Sequence, residues 1–494
     1  MEFNKITPEQ AGISSKNVQD LLQFYYDNGV ILHSVLLMKG NDLFGEFYYK
    51  PFHKDYNHRI YSETKSYVGI AIGLLEEEGK LKLDDKVADY FPEKIEKELH
   101  QYLKDQTVKD MLCMTTAGVD YPYWFTSGDP DRTHMYFNSS VSHHPAGTVW
   151  SYDSTGSQVL CNLVEKLSGK CLFDYLNEKI FSHLGTFKNA TILKTPNGDS
   201  WGDSALICTS RDKISFARFL MNYGTWNGKR LMNEEYIKTA TSAVVANEKN
   251  GFRGYETYGY GYQIWRHKYG FSFNGMGSQF TICIPEKDLI MVCTGSNCGY
   301  TPTANALIFA GLEAFIIKQI ADKPLPEDKD AYARLEEYGN NLVLEGCDGE
   351  KTSPWVEKIN GKTYNFDENA KGFKNFRLEF NGDDGVLYYE NGQGKKELPF
   401  KMNENAYTKF PQLGYSNLVG AEVTTDGFMY DAAVSAGWID QSRLLIRVQV
   451  IDKYFGNMAM TFNFKDDKAV VVMTKVAENF FGEYMGEFMA EMQK

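Results

Sequence analysis

Long apolar runs are missing from this sequence. None approaches the roughly 20 residues a helix needs to cross a bilayer, so no membrane partner is expected. The N-terminal MEFNKITPEQ has no apolar leader core, and the expectation is a cytoplasmic protein. Positive charge is in deficit. With 52 Lys and Arg against 65 Asp and Glu, the net charge of −13 argues against nucleic acid or an anionic membrane surface. The eight cysteines include no Cys-x-x-Cys, and the nine histidines no His-Glu-x-x-His. The cysteines therefore read as buried reduced thiols, and neither a metal nor any other cofactor is expected.

What is present is enough apolar material for two domains, or for one large domain with an appendage: 43% of 494 residues are hydrophobic and 14% aromatic. The most informative stretch is Ile60-Tyr61-Ser62-Glu63-Thr64-Lys65-Ser66-Tyr67, just ahead of an apolar, helix-like run from Val68 to Leu75. Residues three apart on a helix share a face, so the Ser62 hydroxyl would sit beside the Lys65 amine. A helix N-terminus adds unpaired N–H groups and a partial positive charge. Together these form a nucleophile, a base and a field that favours an oxyanion. The pattern recurs at Ser210-Arg211-Asp212-Lys213. That copy reads as a helix start, with Ser210 or Thr209 as N-cap before Ile214, Phe216 and Phe219.

Further along, Ser15 to Asn28 reads as a helix, and Val35–Met38 and Leu43–Tyr49 as strands around Gly40-Asn41-Asp42. Gly118 to His144 is long, polar and aromatic, holding Tyr123 and Trp124. It reads as a structureless stretch, either a wall of the substrate pocket or a surface loop packed on the core. Ser278–Ile284 and Leu289–Thr294 read as paired strands, and Thr303–Ile320 as a helix. Residues 322–330 read as a linker between a domain at 1–321 and one at 331–494. In the latter, period-two alternation places Phe376, Leu378 and Phe380 on one face, and Met458, Met460, Phe462 and Phe464 on another. The expectation is an antiparallel β domain, barrel or sandwich, that covers an apolar face, makes an oligomer contact or roofs the site.

Three features now stand in order: Ser62-x-x-Lys65, Tyr152-Asp153-Ser154, and Phe273-Asn274-Gly275 before a strand. This set resembles the serine β-lactamase and penicillin-binding-protein family, in the branch with a tyrosine in the second motif. Pro145-x-Gly147-Thr148 and the turn Asn274 to Gln279 are similar as well, and the resemblance covers about residues 7–321. It implies an α/β fold: a five-stranded antiparallel sheet flanked by helices, beside an all-helical region. It also implies Ser62 as acylated nucleophile, Lys65 as its base and Tyr152 as second acid/base. The backbone N–H groups of Ser62 and Met276 would form the oxyanion hole, and Ser154, Phe273, Asn274, Gly275, Tyr123 and Trp124 would face substrate. Phe273 stands where relatives carry lysine or histidine, so this position is not expected to recognise a substrate carboxylate; Arg266 and His267 are close enough in sequence to substitute for it. A small-molecule acyl substrate is the expected partner, carboxylic esters ahead of β-lactams and D-amino-acid peptides, with a non-turnover sensor as the other class. A homo-oligomer is compatible with all of these.

Overall fold

The computed structural model describes residues 3–118, 129–138, 142–247, 254–297, 301–416, 427–476 and 481–494. Tyr123, Trp124 and Cys298 lie outside the described residues. The chain divides into two compact units, the first running to Leu342 and the second beginning at Val343.

The first unit is built on a seven-stranded sheet. Its order is Asn4–Lys5, Asp42–Tyr48, Leu32–Lys39, Leu289–Gly295, Gln279–Ile284, Gly270–Gly275, Trp265–His267. The middle five are the expected antiparallel strands, and a short strand extends the sheet at each end. Both faces are covered, which is why the central strand Leu289–Gly295 is apolar and buried along its length. Val35, Leu37, Ile282 and Met291 face the helices Ser15–Asp27 and Thr301–Gly311. Leu36, Phe271, Phe273 and Val292 face the helices Thr64–Glu77, Ser154–Ser168 and Ser210–Met221.

Thr64–Glu77 is buried on every side from Thr64 to Leu75, so its sequence shows no polar face. Gly69 permits this: a Cβ there would lie 2.6 Å from the Tyr262 carbonyl oxygen.

Two expectations are corrected. The segment 322–330 is no free linker, since Ala321 and Leu325 donate to the carbonyls of Gly12 and Glu9, each at 2.8 Å. The helix Lys329–Asn340 then returns to the first unit, burying Leu335 with Val18, Leu21 and Leu22. The boundary therefore falls at Leu342. The stretch from Gly118 to His144 is not structureless, for it holds the helix Arg132–Asn138. Asp131 accepts from the His134 N–H at 2.9 Å, capping that helix, while Tyr136 and Phe137 pack into the core.

In the second unit, nine strands among the described residues close a barrel. They run from Thr363–Phe366 through Gly486–Met492, which pair with each other antiparallel. The ring closes where Lys401 and Met402 pair in parallel with Ser435 and Ala436. Ala406–Ser416 pairs outside the ring, on Gly427–Asp440. Phe376, Leu378, Met458, Met460, Phe462 and Phe464 are buried. Closure removes the open edges a sandwich would leave.

Candidate active site

Ser62 lies in a single 3-10 turn, Tyr61–Glu63, that runs straight into the buried helix Thr64–Glu77. Tyr61 has φ +50°, a left-handed conformation uncommon for a bulky residue. Two contacts hold it. The Arg59 guanidinium lies 4.8 Å from its ring centre, and Thr64 Oγ1 donates to its carbonyl at 2.6 Å. The sharp turn leaves Ser62 partly exposed at the helix mouth while Lys65 is buried.

Lys65 Nζ is 3.1 Å from Ser62 Oγ and donates to the Asp203 carbonyl at 2.6 Å. Burial lowers its pKa from 10.5 to about 8, with Arg132 lowering it further and Asp203 opposing. The side chains of that opposing pair meet in a buried ion pair, Arg132 Nη1 to Asp203 Oδ2 at 2.8 Å. Arg132 also bonds Thr155 Oγ1. One arginine thus ties the carbonyl that holds Lys65 to the helix that follows the tyrosine motif.

The tyrosine of that motif is close by. Lys65 Nζ lies 5.1 Å from the Tyr152 ring centre, and the ring stacks on Trp265 at 5.6 Å. Asp153 caps the helix Ser154–Ser168 by accepting from Gly156 N–H at 2.8 Å. Ser154 occupies the first position of that helix and is partly exposed.

The third motif is divided by strand alternation. Gly275 abuts the nucleophile turn, where a Cβ would come within 2.2 Å of the Ile60 carbonyl oxygen. Met276 follows it in the tight turn before Gln279–Ile284. Phe273, expected to face substrate, is instead fully buried among Tyr67, Phe216 and Phe271. Its side chain points to the helical core because alternate strand residues take opposite faces. Neither expected substitute cation replaces it. His267 is buried, bonded to the Phe271 carbonyl at 3.1 Å, and its pKa falls to about 4, chiefly through burial. Arg266 donates to the Thr241 carbonyl at 3.0 Å and lines a separate cavity of about 250 Å³ with Lys238 and Phe271.

Several residues beneath the site escaped the sequence reading. Glu63, next to Ser62, is buried against Lys213. Lys213 belongs to the second Ser-x-x-Lys, whose N-cap proves to be Thr209. A lysine spaced with Phe216, Ala217 and Leu220 on an apolar stripe was the available signal. Asp203 acts through its backbone, which leaves no signature. Among the described residues, no three His, Cys, Asp or Glu side chains converge as a metal would require, and no helix is long and apolar enough to cross a membrane.

A sheet of this order, with a Ser-x-x-Lys helix buried against it, defines the class of serine hydrolases built on the β-lactamase fold. The chain belongs to the beta-lactamase family, whose model matches residues 26–307, more than half its length. It is 24% identical to the 6-aminohexanoate-dimer hydrolase of Paenarthrobacter ureafaciens over 218 residues, 41% of this chain and 55% of that one. It is 29% identical to penicillin-binding protein 4* of Bacillus subtilis strain 168 over 133 residues, 25% of this chain and 28% of that one. The matches thus span about half or less of these curated relatives. The fold is shared with the solved structure of a protein assigned as a 6-aminohexanoate-dimer hydrolase in Bacillus anthracis. That likeness has a TM-score of 0.53 and 19% identity, over 66% of this chain and 89% of the other.

Proposed function

We propose that this protein hydrolyses carboxylic esters through a covalent acyl-enzyme on Ser62. The observation that carries the reading is the Lys65 amine, buried, 3.1 Å from Ser62 Oγ and with its pKa lowered to about 8. At pH 7 roughly a tenth of such an amine is neutral, where a free lysine would be almost wholly charged. A neutral amine has two hydrogens and one lone pair. One hydrogen goes to the Asp203 carbonyl, and the lone pair takes the Ser62 proton as Oγ attacks the acyl carbon. The N–H groups of Ser62 and Met276 receive the developing oxyanion. Tyr152 passes the proton to the leaving alcohol, and water then releases the acid.

Esters stand ahead of β-lactams because the strand position where relatives place a cation is a buried phenylalanine, and Arg266 and His267 point elsewhere. The curated relative named as a 6-aminohexanoate-dimer hydrolase supports a second reading, amides cleaved by the same residues.

A fluorophosphonate probe followed by peptide mapping tests the nucleophile, with a single label on Ser62 expected. Comparison of p-nitrophenyl butyrate with a cephalosporin tests the substrate, with the higher kcat/KM expected for the ester. A label on another residue ends the first claim, and a preference for the cephalosporin ends the second. A burst of one equivalent followed by arrest would mark a sensor instead.

A further inference from the structure

The outer edge of the strand Gly270–Gly275 is open in its last part. Its pairing with Trp265–His267 ends at Ser272↔Trp265, and no described strand continues beyond. Tyr152, stacked on Trp265, bounds this opening on one side, and Gly275, against the Ile60 carbonyl, bounds it on the other. Asn274 lies between them, partly exposed and held at both ends of its amide. Ser272 Oγ donates to its Oδ1 at 2.7 Å, and its Nδ2 donates to Glu256 Oε1 at 3.1 Å.

Glu256 is the unusual member. It comes from the turn Gly254–Glu256, is half-buried, and pairs with no cation among the described residues. Burial pushes its carboxyl up to about 7, and only the Asn274 amide opposes this. A carboxylate so placed, in lower dielectric than water, attracts a cation more strongly than an exposed one does. Asn274 turns its Nδ2 toward Glu256, and its Oδ1, held by Ser272, keeps a second lone pair. The Glu256 carboxylate, which accepts from Asn274 Nδ2 and has acceptor sites left over, suits an ammonium, which has three donors and no acceptor.

We propose that Glu256, with Asn274, is a recognition point for a protonated primary amine on the acyl substrate. The charge at this end of the cleft is then opposite to what a carboxylate-bearing substrate needs. The word substrate rests on Ser62 being the acylated residue; the amine site itself does not.

The test is a binding measurement in a protein that cannot turn over, Ser62→Ala, by isothermal titration calorimetry at pH 8. Hexylamine, hexanol and hexanoate are matched in length and differ in charge. Hexylamine should bind at least tenfold more tightly than the other two. In Ser62→Ala/Glu256→Gln that preference should fall within twofold, although Gln keeps an acceptor for Asn274. Equal binding of the three ligands to Ser62→Ala overturns the proposal without any second variant. So does a preference that survives Glu256→Gln. Fluorophosphonate labelling of the parent is scored separately. An amine preference without labelling of Ser62 upholds this site and ends the acyl-enzyme reading; labelling without a preference does the reverse.

Discussion

Lys213 Nζ lies 2.8 Å from Glu63 Oε1, both side chains are fully buried, and Glu63 directly follows Ser62. Thr281 Oγ1 donates to the other Glu63 oxygen at 2.9 Å. Lys213 also donates to the carbonyls of Phe280 and Cys293, at 3.3 and 2.9 Å. The turn that carries Ser62 is thereby tied to two central strands of the sheet.

Removing one member of this pair leaves a buried charge alone. Lys213→Met should cost about 3–5 kcal/mol in urea unfolding, and Glu63→Leu/Lys213→Met should recover most of it. A double variant no more stable than Lys213→Met would show that the pair is not what couples these positions.

Ser62→Ala should abolish probe labelling and lower turnover by several orders of magnitude. Ser210→Ala should leave labelling intact. Its hydroxyl bonds Ser34 Oγ at 2.7 Å, and Ser34 keeps Thr294 Oγ1 as a partner, so the loss should be about 1 kcal/mol of stability. Labelling that persists in Ser62→Ala would refute the assignment.

Lys65 sets a pH dependence. The folded state disfavours its charged form, chiefly through burial, so protonated Lys65 costs stability, on the order of 3 kcal/mol, at pH values below about 8. The penalty fades as pH rises from about 8 to 10.5 and is gone above that. Lys65→Met should therefore raise Tm at pH 7, with a gain that shrinks across this window. The rate of Ser62 acylation should climb through pH of about 8 in the parent. A flat acylation profile from pH 6 to 10 would count against Lys65 as the base.

Phe273→Lys would not restore recognition of a carboxylate, because the side chain enters the core beside Tyr67 and Phe216. Phe273→Ala should cost about 3–5 kcal/mol by leaving a cavity. If Phe273→Lys folded stably and gained cephalosporin turnover, the strand would have to present this position to substrate.

The closed barrel gives the second unit its own hydrogen-bonded ring and apolar interior. Residues 343–494 expressed alone should show a cooperative thermal transition and a β-type far-UV spectrum. An unstructured fragment would show that the barrel depends on the rest of the chain.

The sequence by itself determined the elements and their class. Ser62-x-x-Lys65 is legible because helix geometry fixes which neighbours share a face, and the barrel strands are legible because alternation with period two is local. The tyrosine motif and the glycine turn are legible as an ordered set. Tertiary structure decided the rest. Phe273 faces the core because register and strand pairing, not its place in a motif, choose the face. Lys213, Asp203, Arg132 and Glu256 acquire meaning from residues far away in sequence: Glu63, Lys65, Thr155 and Asn274. Their effects depend on burial and on charge separations of a few ångströms. The chain order does not record those quantities, and packing supplies them.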